Sequence, residues 1–310
     1  MISEFIKAYP KFQTLLYILG ILGLLKCTKI LCFLWKLLRP STNLKKYGTG
    51  SWVFITGASD GIGKQLAIKF SQKGFKIILV ARTRSKLEAV SQQLQTESHI
   101  IVADFTQSMD NKLFDRIIDE VGERDVSIVI NNVGVDAFNR FHLISDEEIY
   151  KTIIVNCMPV TMLCKRFIPQ LLKRKSHKSA IINVTSLAGQ IPTPYFNVYS
   201  ASKSYGEFLT QTLSVEYPEL EIFALRPSEV STNMTFNRKP DLMTITSSDC
   251  ADGLLKRMGQ NTNGHWNHEI QAELYKLVPS WLYNWVLIKF IAPQWLKERT
   301  STTSTQKKNN

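Results

Sequence analysis

Residues 186–203 contain side chains that could carry out acid–base chemistry. Tyr199 and Lys203 stand four residues apart at the start of a helical pattern, so the phenol and the ammonium share one helix face. A tyrosine has an unperturbed pKa of about 10, and a neighbouring cation lowers that pKa by stabilising the phenolate, which makes a buried phenol a reasonable acid at neutral pH. Ser186 precedes this pair, directly after the apolar run 180–185. The motif Tyr-x-x-x-Lys also occurs by chance on many helices, so its meaning depends on the rest of the chain.

A glycine-rich loop lies between a predicted first strand, 51–56, and a predicted first helix, 64–73. Glycines at such a turn let the backbone approach a pyrophosphate, and the helix N-terminus adds positive potential. The spacing is Gly-x-x-x-Gly-x-Gly, and its position between a strand and a helix favours a nucleotide site. The candidate cofactor-binding residues of this loop are Thr56, Gly57, Ser59, Asp60, Gly61, Ile62 and Gly63.

The end of the second predicted strand indicates which nucleotide is bound. A site for NAD has an acidic residue there, which binds the ribose 2′-hydroxyl. Here the strand 76–81 is followed by Arg82, whose guanidinium could pair with a 2′-phosphate, although a solvated arginine at a helix start is the alternative. The sequence therefore favours NADP(H). Asp104, after the third strand, is placed either to reach an adenine amine or to cap a helix.

The elements that must position these residues alternate along the chain. Apolar runs of five or six residues alternate with amphipathic helices, which is typical of a parallel sheet covered on both faces. The pattern predicts an α/β fold with a Rossmann-type doubly wound parallel sheet. Its predicted strands are 51–56, 76–81, 99–103, 126–131, 180–185 and 221–225, with a last strand at 264–270; its helices are 64–73, 84–95, 109–122, 146–174, 198–217 and 247–258.

The composition of the 310 residues excludes several classes of protein. Hydrophobic residues at 44% and charged residues at 21% describe a globular chain, and its net charge of +12 is concentrated at the two ends. No basic face interleaved with exposed aromatics is evident, so we expect an anionic membrane or substrate and no nucleic acid. The five cysteines form no C-x-x-C pair, which fits a reducing compartment. His265 and His268 lack a third ligand nearby, so we expect no metal and interpret both as loop or strand-edge residues.

The N-terminal segment is apolar. Residues 14–25 are almost wholly apolar, and the apolar character resumes at 30–38 after two lysines. The segment 12–38 could span a membrane with its lysines snorkelling, or lie in the interface. A cleaved signal peptide fits poorly, because no small-x-small site follows. Basic residues on the C-terminal side of the segment place the following domain in the cytosol.

The C-terminal segment 274–296 is aromatic and apolar, and Pro279 and Pro293 interrupt it. A dimer arm or substrate lid and association with a membrane surface are equally good interpretations. The polar tail 300–310 ends with Lys307-Lys308-Asn309-Asn310, which matches the dilysine signal for retrieval to the endoplasmic reticulum. We therefore divide the chain into a membrane anchor, a Rossmann domain, and an apolar extension with a polar basic tail, at residues 1–47, 48–270 and 271–310.

The ordered motifs resemble those of the short-chain dehydrogenase/reductase family. Two departures are Val133, where alanine is commoner, and Ser228, which replaces the glycine usual after Pro227. Within the family the chain is similar to the membrane-bound 3-oxoacyl-CoA reductases of very-long-chain fatty-acid elongation, which are similar in turn to 17-beta-hydroxysteroid dehydrogenases. The matching motifs lie in family order over about residues 50–235: Thr56-Gly57 with Gly61-x-Gly63, Asp104, Asn131-Asn132-Val133-Gly134, Asn156, Ser186, Tyr199-x-x-x-Lys203, Pro227 and Thr232.

This resemblance implies hydride transfer from NADPH to a ketone carbon, with Tyr199 as general acid. Lys203 would lower the pKa of Tyr199 and hold the nicotinamide ribose, and Ser186 would donate a hydrogen bond to the developing oxyanion. Asn156 would hold a water that relays protons to Lys203. The other residues that the resemblance assigns to the cofactor are Asn131, Gly134, Pro227 and Thr232, of which Thr232 would contact the nicotinamide carboxamide.

Three functions stay open at this point. The first is an NADPH-dependent 3-oxoacyl-CoA reductase of the endoplasmic reticulum membrane, with a cytosolic catalytic domain and other fatty-acid elongation enzymes as partners. The second is a steroid or retinoid dehydrogenase, because the same residues serve any ketone, and the loops 187–197 and 233–246 select the substrate. The third is a non-enzymatic scaffold that binds a nucleotide. Helices 146–174 and 198–217 resemble those of the family's dimer face, so we also expect a homodimer.

Overall fold

The computed structural model describes residues 10–38 and 40–297, and these fall into two compact units that divide between Ser41 and Thr42. The first unit contains one helix, α1 (Pro10–Leu38). Its segment Thr14–Trp35 has 22 residues and a mean hydropathy of 1.9, so it is long and apolar enough to cross a membrane. The predicted dilysine signal and the tail 300–310 lie outside the described residues.

The second unit is built on a parallel sheet, as the sequence predicted. Within its described residues, six strands lie in the order β3-β2-β1-β4-β5-β6. The chain moves outward from β1 to β3 and then returns to the other side of β1 at β4. The carboxyl ends of β1 and β4 therefore flank a topological switch point, where open α/β sheets bind ligands. The strands are β1 (Trp52–Thr56), β2 (Lys76–Ala81), β3 (Ser98–Val102), β4 (Val126–Asn131), β5 (Ala180–Val184) and β6 (Glu221–Leu225).

Helices cover both faces of this sheet and bury two apolar cores. In β1, Val53 and Ile55 belong to one core, whereas Trp52 and Phe54 belong to the other, because successive side chains of a strand point to opposite faces. Both faces are covered, so β1 is apolar at every position except its last, Thr56. The helices are α2 (Gly61–Gln72), α3 (Arg84–Ser91), α4 (Asn111–Val121), α5 (Asp146–Lys173), α6 (Asn197–Glu216) and α7 (Ser247–Lys256).

The predicted last strand at 264–270 is wrong, because this region forms helix α8 (Trp266–Leu277). Thr262 alone makes a strand-like bridge, to Leu225 at the end of β6. The carboxylate of Glu269 then accepts hydrogen bonds from Thr262 and from the backbone N–H of Asn263, at 3.0 and 2.9 Å, which turns the chain into the helix. His268 is therefore not a loop or strand-edge residue, whereas His265 lies in the loop just before the helix.

His265 is the N-cap of α8, and its side chain accepts a hydrogen bond from the backbone N–H of Asn267. His268 lies inside the helix and is fully buried. Burial lowers the pKa of His268 to about 4, so its imidazole is neutral at physiological pH. Within residues 10–38 and 40–297, no group of three His, Cys, Asp or Glu side chains could hold a metal ion.

Two segments beyond the predicted domain pack on it. Residues 42–47, expected in the anchor, lie against the second unit: Thr42 Oγ1 donates to the carbonyl of Met258 at 3.0 Å, and Lys46 pairs with Glu221 at 2.7 Å. At the other end, α8 runs across residue 270, where the Rossmann domain was expected to end. Helix α9 (Ser280–Val286) and the π-helical turn Leu287–Ile291 follow it.

A third apolar cluster joins this C-terminal segment to the loops above the sheet. Phe138, from the loop after β4, packs against Leu287 and Ala292. The ring of Phe138 also lies 4.5 Å from that of Phe196 and 5.7 Å from that of Trp295, measured between centroids. The C-terminal segment thus covers the carboxyl ends of the central strands. Two short parallel strands that the sequence did not predict, β7 (Glu229–Ser231) and β8 (Thr244–Thr246), border the same region.

Candidate active site

Ser186, Tyr199 and Lys203 lie together where β5 ends and α6 begins. Ser186 follows β5 by two residues, and its hydroxyl accepts a hydrogen bond from the backbone N–H of Ala188 at 3.2 Å. This bond stabilises the short turn that brings Ser186 beside Tyr199, with which it shares a hydrogen bond. Lys203 Nζ lies 5.8 Å from the ring centre of Tyr199, one helical turn away. The fold therefore brings together the three side chains that the sequence analysis chose from their spacing.

The protonation states of this pair differ from the expectation. Burial raises the pKa of Tyr199 to about 12, a hydrogen bond with Ser186 lowers it, and the carboxylate of Asp136 raises it further. The ammonium of Lys203 donates a hydrogen bond to the carbonyl of Val184 at 2.9 Å, and its effect on the pKa of Tyr199 stays a prediction. Burial also lowers the pKa of Lys203, to about 8. At neutral pH the phenol therefore keeps its proton, which is the state that a general acid needs.

Asn156 connects the loop after β4 to helix α6. Its Oδ1 accepts a hydrogen bond from the backbone N–H of Val135 at 2.9 Å, and its Nδ2 donates to the carbonyl of Val135 and to Ser202 Oγ. A Cβ on Gly134 would lie 3.1 Å from Lys203 Nζ and 3.3 Å from Asn156 Oδ1, so glycine permits this approach. The amide of Asn156 thus fixes the loop beside Lys203, and its role in holding a water stays a prediction.

The glycine loop has the shape of a phosphate cradle. Gly57 and Gly61 have left-handed φ angles of 64° and 54°. A Cβ on Gly63 would lie 2.3 Å from the carbonyl oxygen of Gly57, so α2 can approach the end of β1 only with glycine there. Asp60 caps α2 by accepting a hydrogen bond from the N–H of Gly61 at 2.7 Å. A narrow turn that opens a helix suits the pyrophosphate of a dinucleotide.

Asn131, which the resemblance assigned to the cofactor, and Asn132 have different surroundings. The side chain of Asn131 lies in the interior, where its Nδ2 donates to Asn183 Oδ1 at 2.8 Å. Asn132 instead donates to the carbonyls of Thr56 and Gly57, at 2.9 and 3.2 Å, and lines the cavity described below. Thr56 Oγ1 accepts the backbone N–H groups of Asn132 and Val133. The side chain that supports the glycine loop is therefore that of Asn132, which the sequence analysis did not select.

Arg82 and Asp104 follow neighbouring strands at their carboxyl ends. Arg82 is exposed, and within the described part of the chain its guanidinium has no hydrogen-bond or ion-pair partner. It is therefore available to a 2′-phosphate. Asp104 Oδ1 accepts hydrogen bonds from the N–H and the hydroxyl of Thr106, at 3.0 and 2.9 Å. Asp104 thus caps the turn that follows β3, which was the alternative interpretation of this residue.

The segment after Pro227 closes over the glycine loop. The carbonyl of Pro227 accepts a hydrogen bond from the N–H of Leu187 at 2.9 Å, which joins this segment to the turn after β5. A Cβ on Gly61 would lie 3.0 Å from the methyl group of Thr232. Asn233 also donates a hydrogen bond to Asp60. Thr232 thus lies at the glycine turn, and its contact with the nicotinamide carboxamide stays a prediction. Asn233 is a further contact that no pattern had indicated.

A cavity of about 620 Å³ connects the glycine loop with the three side chains at the end of β5 and the start of α6. It extends from the glycine loop past Ser186, Tyr199 and Lys203 to the aromatic cluster of the C-terminal segment. Tyr283, Leu287, Ile291 and Trp295 line it at intervals of four residues. Sequence analysis offered a substrate lid as one interpretation of this apolar segment, and its four-residue period could have indicated a buried helix face. The cavity size lies within the range of about 300–1,000 Å³ common for small-molecule sites.

Comparison with known proteins agrees with this geometry. Residues 51–242, more than half of the chain, match the family model described as short chain dehydrogenase. The chain is 34% identical over 253 residues to putative steroid dehydrogenase 2 of Caenorhabditis elegans, which covers 77% of this chain and 79% of that protein. It is 31% identical over 248 residues to very-long-chain 3-oxoacyl-CoA reductase of Macaca fascicularis, covering 76% and 78%.

A solved structure extends the likeness to three dimensions. A short-chain dehydrogenase from Sphingobium yanoikuyae in complex with NADPH has a TM-score of 0.59 and 26% identity to this chain, and the match covers 66% of this chain and 83% of that one. The matched family model spans the glycine loop, Ser186, Tyr199 and Lys203. The chain therefore belongs to the short-chain dehydrogenase/reductase family of oxidoreductases.

Proposed function

We propose that the protein uses NADPH to reduce the ketone of a 3-oxoacyl-CoA to a 3-hydroxyacyl-CoA in very-long-chain fatty-acid elongation. The observation that carries this proposal is the cavity, because it begins at Ser186 and Tyr199 and continues between aromatic and aliphatic side chains. An acyl chain suits such a lining. The net charge of +12 suits the phosphates of CoA, and the similarity to very-long-chain 3-oxoacyl-CoA reductase supports the same choice.

The residues of the nucleotide site fit NADP(H), which supplies a hydride when it is bound. The turn at Gly57 and the N-terminus of α2 would hold the pyrophosphate, and the exposed Arg82 would hold the 2′-phosphate. Asp104 would accept a hydrogen bond from the adenine amine at its second carboxylate oxygen, because Oδ1 caps the turn after β3. Thr232 lies beside the glycine turn and would contact the carboxamide. The solved NADPH complex of a similar chain supports this assignment.

The reaction needs a proton for the oxygen of the ketone. Ser186 and Tyr199 would both donate hydrogen bonds to this oxygen, because they already lie side by side on the cavity. Tyr199 then transfers its proton to the oxygen, which becomes the hydroxyl of the product. The ammonium of Lys203, 5.8 Å from the ring centre, stabilises the phenolate that is left. The carbonyl of Val184 holds this ammonium in place.

The direct test is NADPH oxidation by the purified full chain with long-chain 3-oxoacyl-CoA. We expect Tyr199→Phe to lower kcat by at least about a hundredfold, because general acid catalysis contributes that much or more. Tyr150→Phe, an exposed tyrosine on α5, is the matched control and should leave kcat unchanged. Wild-type protein that is inert toward every chain length would refute the proposal. If it binds NADPH and turns over no ketone, the chain is a nucleotide-binding scaffold.

A steroid ketone is the second candidate substrate. Putative steroid dehydrogenase 2 of Caenorhabditis elegans has 34% identity to this chain, and several aromatic rings in the cavity would suit a flat fused-ring molecule. The chemistry of Asn156, Ser186, Tyr199 and Lys203 is the same for an acyl-CoA reductase and a steroid dehydrogenase, so only the substrate distinguishes the two functions. Parallel assays with a long-chain 3-oxoacyl-CoA, a 17-keto steroid and a retinal decide the matter. A kcat/KM that is higher for the steroid or the retinal would replace the acyl-CoA.

The proposed location is the endoplasmic reticulum membrane, with α1 as the anchor and the catalytic domain in the cytosol. The length and composition of Thr14–Trp35 support the anchor, and the lysines that follow it favour a cytosolic domain. The corresponding organisation is an anchor that ends at Ser41, followed by the Rossmann domain and the apolar extension, because residues 42–47 pack on the catalytic unit. Microsomes that carry the full chain should expose the catalytic domain to added protease without detergent, and protection of that domain would reverse the orientation.

A further inference from the structure

The C-terminal segment has two different faces. Tyr283, Leu287, Ile291 and Trp295 recur every four residues and line the cavity. Trp281 and Trp285 recur at the same interval but two residues out of step. Two residues correspond to roughly 200° about a helix axis, so these side chains point away from the cavity. Trp281 is 70% exposed and Trp285 is 51% exposed.

The segment also exposes a set of apolar side chains, which we call the outer surface. Trp281, Trp285 and Ile288, which follow Pro279, are spaced by four and three residues, as expected for one side of a helix. Leu274, Leu277 and Val278 lie at the end of the preceding helix, α8. The ring centroids of Trp285 and Phe290 lie 5.3 Å apart, so these rings cover the surface together. The members of the outer surface are Leu274, Leu277, Val278, Trp281, Trp285, Ile288 and Phe290, all exposed.

The charges on this segment have a single sign. Residues 274–297 contain Lys276, Lys289 and Lys297 and no aspartate or glutamate, and Glu273, just before this range, pairs with Lys276 at 2.6 Å. Lys289 lies four residues after Trp285, on the same side of the segment. Tryptophan is enriched where protein meets the headgroup region of a membrane, and lysine is attracted to anionic lipid. Pairing of this surface with the same surface of a second copy would instead place lysines opposite lysines.

Further exposed apolar side chains lie at the mouth of the cavity. Met234, Phe236 and Met243 line the cavity and are also exposed, so they form its rim. Arg238 connects this rim to the C-terminal segment, because its guanidinium pairs with Glu229 at 2.6 Å and lies 5.7 Å from the ring centre of Trp295. The rim and the inner face of the C-terminal segment therefore enclose the same cavity.

We propose that the outer surface rests in the headgroup region of an anionic membrane, so that an apolar substrate enters the cavity from the lipid. This contact is additional to α1 and lies parallel to the membrane plane, as expected for a short amphipathic segment with a basic edge. The same chain carries α1, whose composition suits a bilayer, so lipid is an apolar partner within reach of the protein. The idea of substrate entry rests on the proposed function, whereas the membrane contact rests on exposure and charge.

The test uses the full chain in vesicles of phosphatidylcholine and phosphatidylserine that contain a lipid with a photoreactive diazirine in its acyl chain. After irradiation, mass spectrometry locates the labelled peptides. We expect label in α1 and in the peptide that contains Trp281 and Trp285. The double variant Trp281→Glu/Trp285→Glu should lose the second label and keep the first. Met109→Glu, exposed elsewhere on the catalytic unit, is the matched control and should change neither label.

Three results would overturn the membrane contact: label in α1 alone, cross-links from the outer surface to α1, or cross-links to a second copy. Equal labelling in vesicles without phosphatidylserine would remove the role of charge. For substrate entry, we expect the double variant to raise KM roughly tenfold for a vesicle-bound long-chain ketone and to leave a short soluble ketone unchanged. An unchanged KM for both would refute entry from the lipid. Labelling needs no turnover, so it stands even if the proposed acyl-CoA activity fails.

Discussion

The phenol of Tyr199 is surrounded by groups that act on its pKa in opposite directions. Burial raises the pKa to about 12, Ser186 lowers it, and the carboxylate of Asp136 raises it. Reduction uses the protonated phenol, whereas oxidation of an alcohol needs the phenolate. The residue environment therefore favours reduction at neutral pH, which agrees with the proposed direction of the reaction.

The first prediction concerns pH. Burial lowers the pKa of Lys203 to about 8, so its ammonium is present below that pH and is lost above it. We expect kcat for reduction to be constant near pH 7 and to fall above about pH 8, while oxidation becomes faster as the phenolate forms. Pre-steady-state rates measured across pH show both the fall in the reduction rate (the reduction limb) and the rise in the oxidation rate (the oxidation limb).

Asp136→Asn provides the matched variant for this prediction. Because the Asp136 carboxylate raises the pKa of Tyr199, its removal should shift the oxidation limb to lower pH. The reduction limb, which depends on Lys203, should not move. Identical oxidation limbs in wild type and variant would show that Asp136 does not act on the phenol.

The second prediction concerns the choice of cofactor. Hydrogen bonds to charged groups contribute about 1.5–3 kcal/mol, so Arg82→Asp should raise KM for NADPH by about 10- to 100-fold. The new carboxylate should lower KM for NADH, because it can accept the ribose 2′-hydroxyl. Arg84→Asp is the control, since Arg84 is equally exposed and pairs with Glu88 at 3.9 Å. Equal changes in both variants would exclude a specific 2′-phosphate contact.

At the scale of elements, the start of α8 depends on a buried charge. Glu269 is almost fully buried, and its carboxylate accepts hydrogen bonds from Thr262 and from both the backbone and the side chain of Asn263. Arg257, also buried, lies 3.5 Å from the same carboxylate. This network holds α8 beside the cavity, where Gln271 and Tyr275 contribute to the lining.

The third prediction follows from this network. Glu269→Gln leaves Arg257 buried without its counter-charge, which typically costs about 3–5 kcal/mol in the free energy of unfolding. Denaturant unfolding of the full chain in detergent measures the change. Glu273→Gln, one turn later on α8, removes an exposed pair with Lys276 and should cost at most about 1 kcal/mol. Equal losses would mean that Glu269 has no special part in starting the helix.

These elements also show how far a sequence can be interpreted. The strands of the sheet were predictable, because a parallel strand covered on both faces is a short apolar run bounded by turns. Helix α8 was not, because Glu269 and buried His268 define it through contacts with residues that precede the helix. Because β4 is buried along its whole length, its sequence pattern did not indicate which of Asn131 and Asn132 faces the glycine loop. Ser186, Tyr199 and Lys203 were predictable because their spacing is local.

At the scale of the whole molecule, the exposed apolar side chains are concentrated on two surfaces of the catalytic unit. One is the outer surface of the C-terminal segment. The other lies on α5 and α6, which pack side by side and are joined by the hydrogen bond between Thr161 and Tyr205 at 2.8 Å. Its exposed members are Tyr150, Ile153, Tyr205, Phe208 and Val215. Apolar surfaces of this kind mark sites of association.

The last prediction assigns the surface on α5 and α6 to a homodimer. Two helices that expose one apolar face can pair with the same face of a second copy about a two-fold axis, because such an interface is self-complementary. Phe208 is 69% exposed at the middle of α6, so Phe208→Glu would bring two carboxylates into the interface and should give a monomer. Met109→Glu, exposed elsewhere on the catalytic unit, should remain dimeric. Sedimentation in detergent distinguishes the two states. A dimer that survives Phe208→Glu would place the interface elsewhere. A monomeric wild type would leave the outer surface of the C-terminal segment as the principal site of association on the catalytic unit.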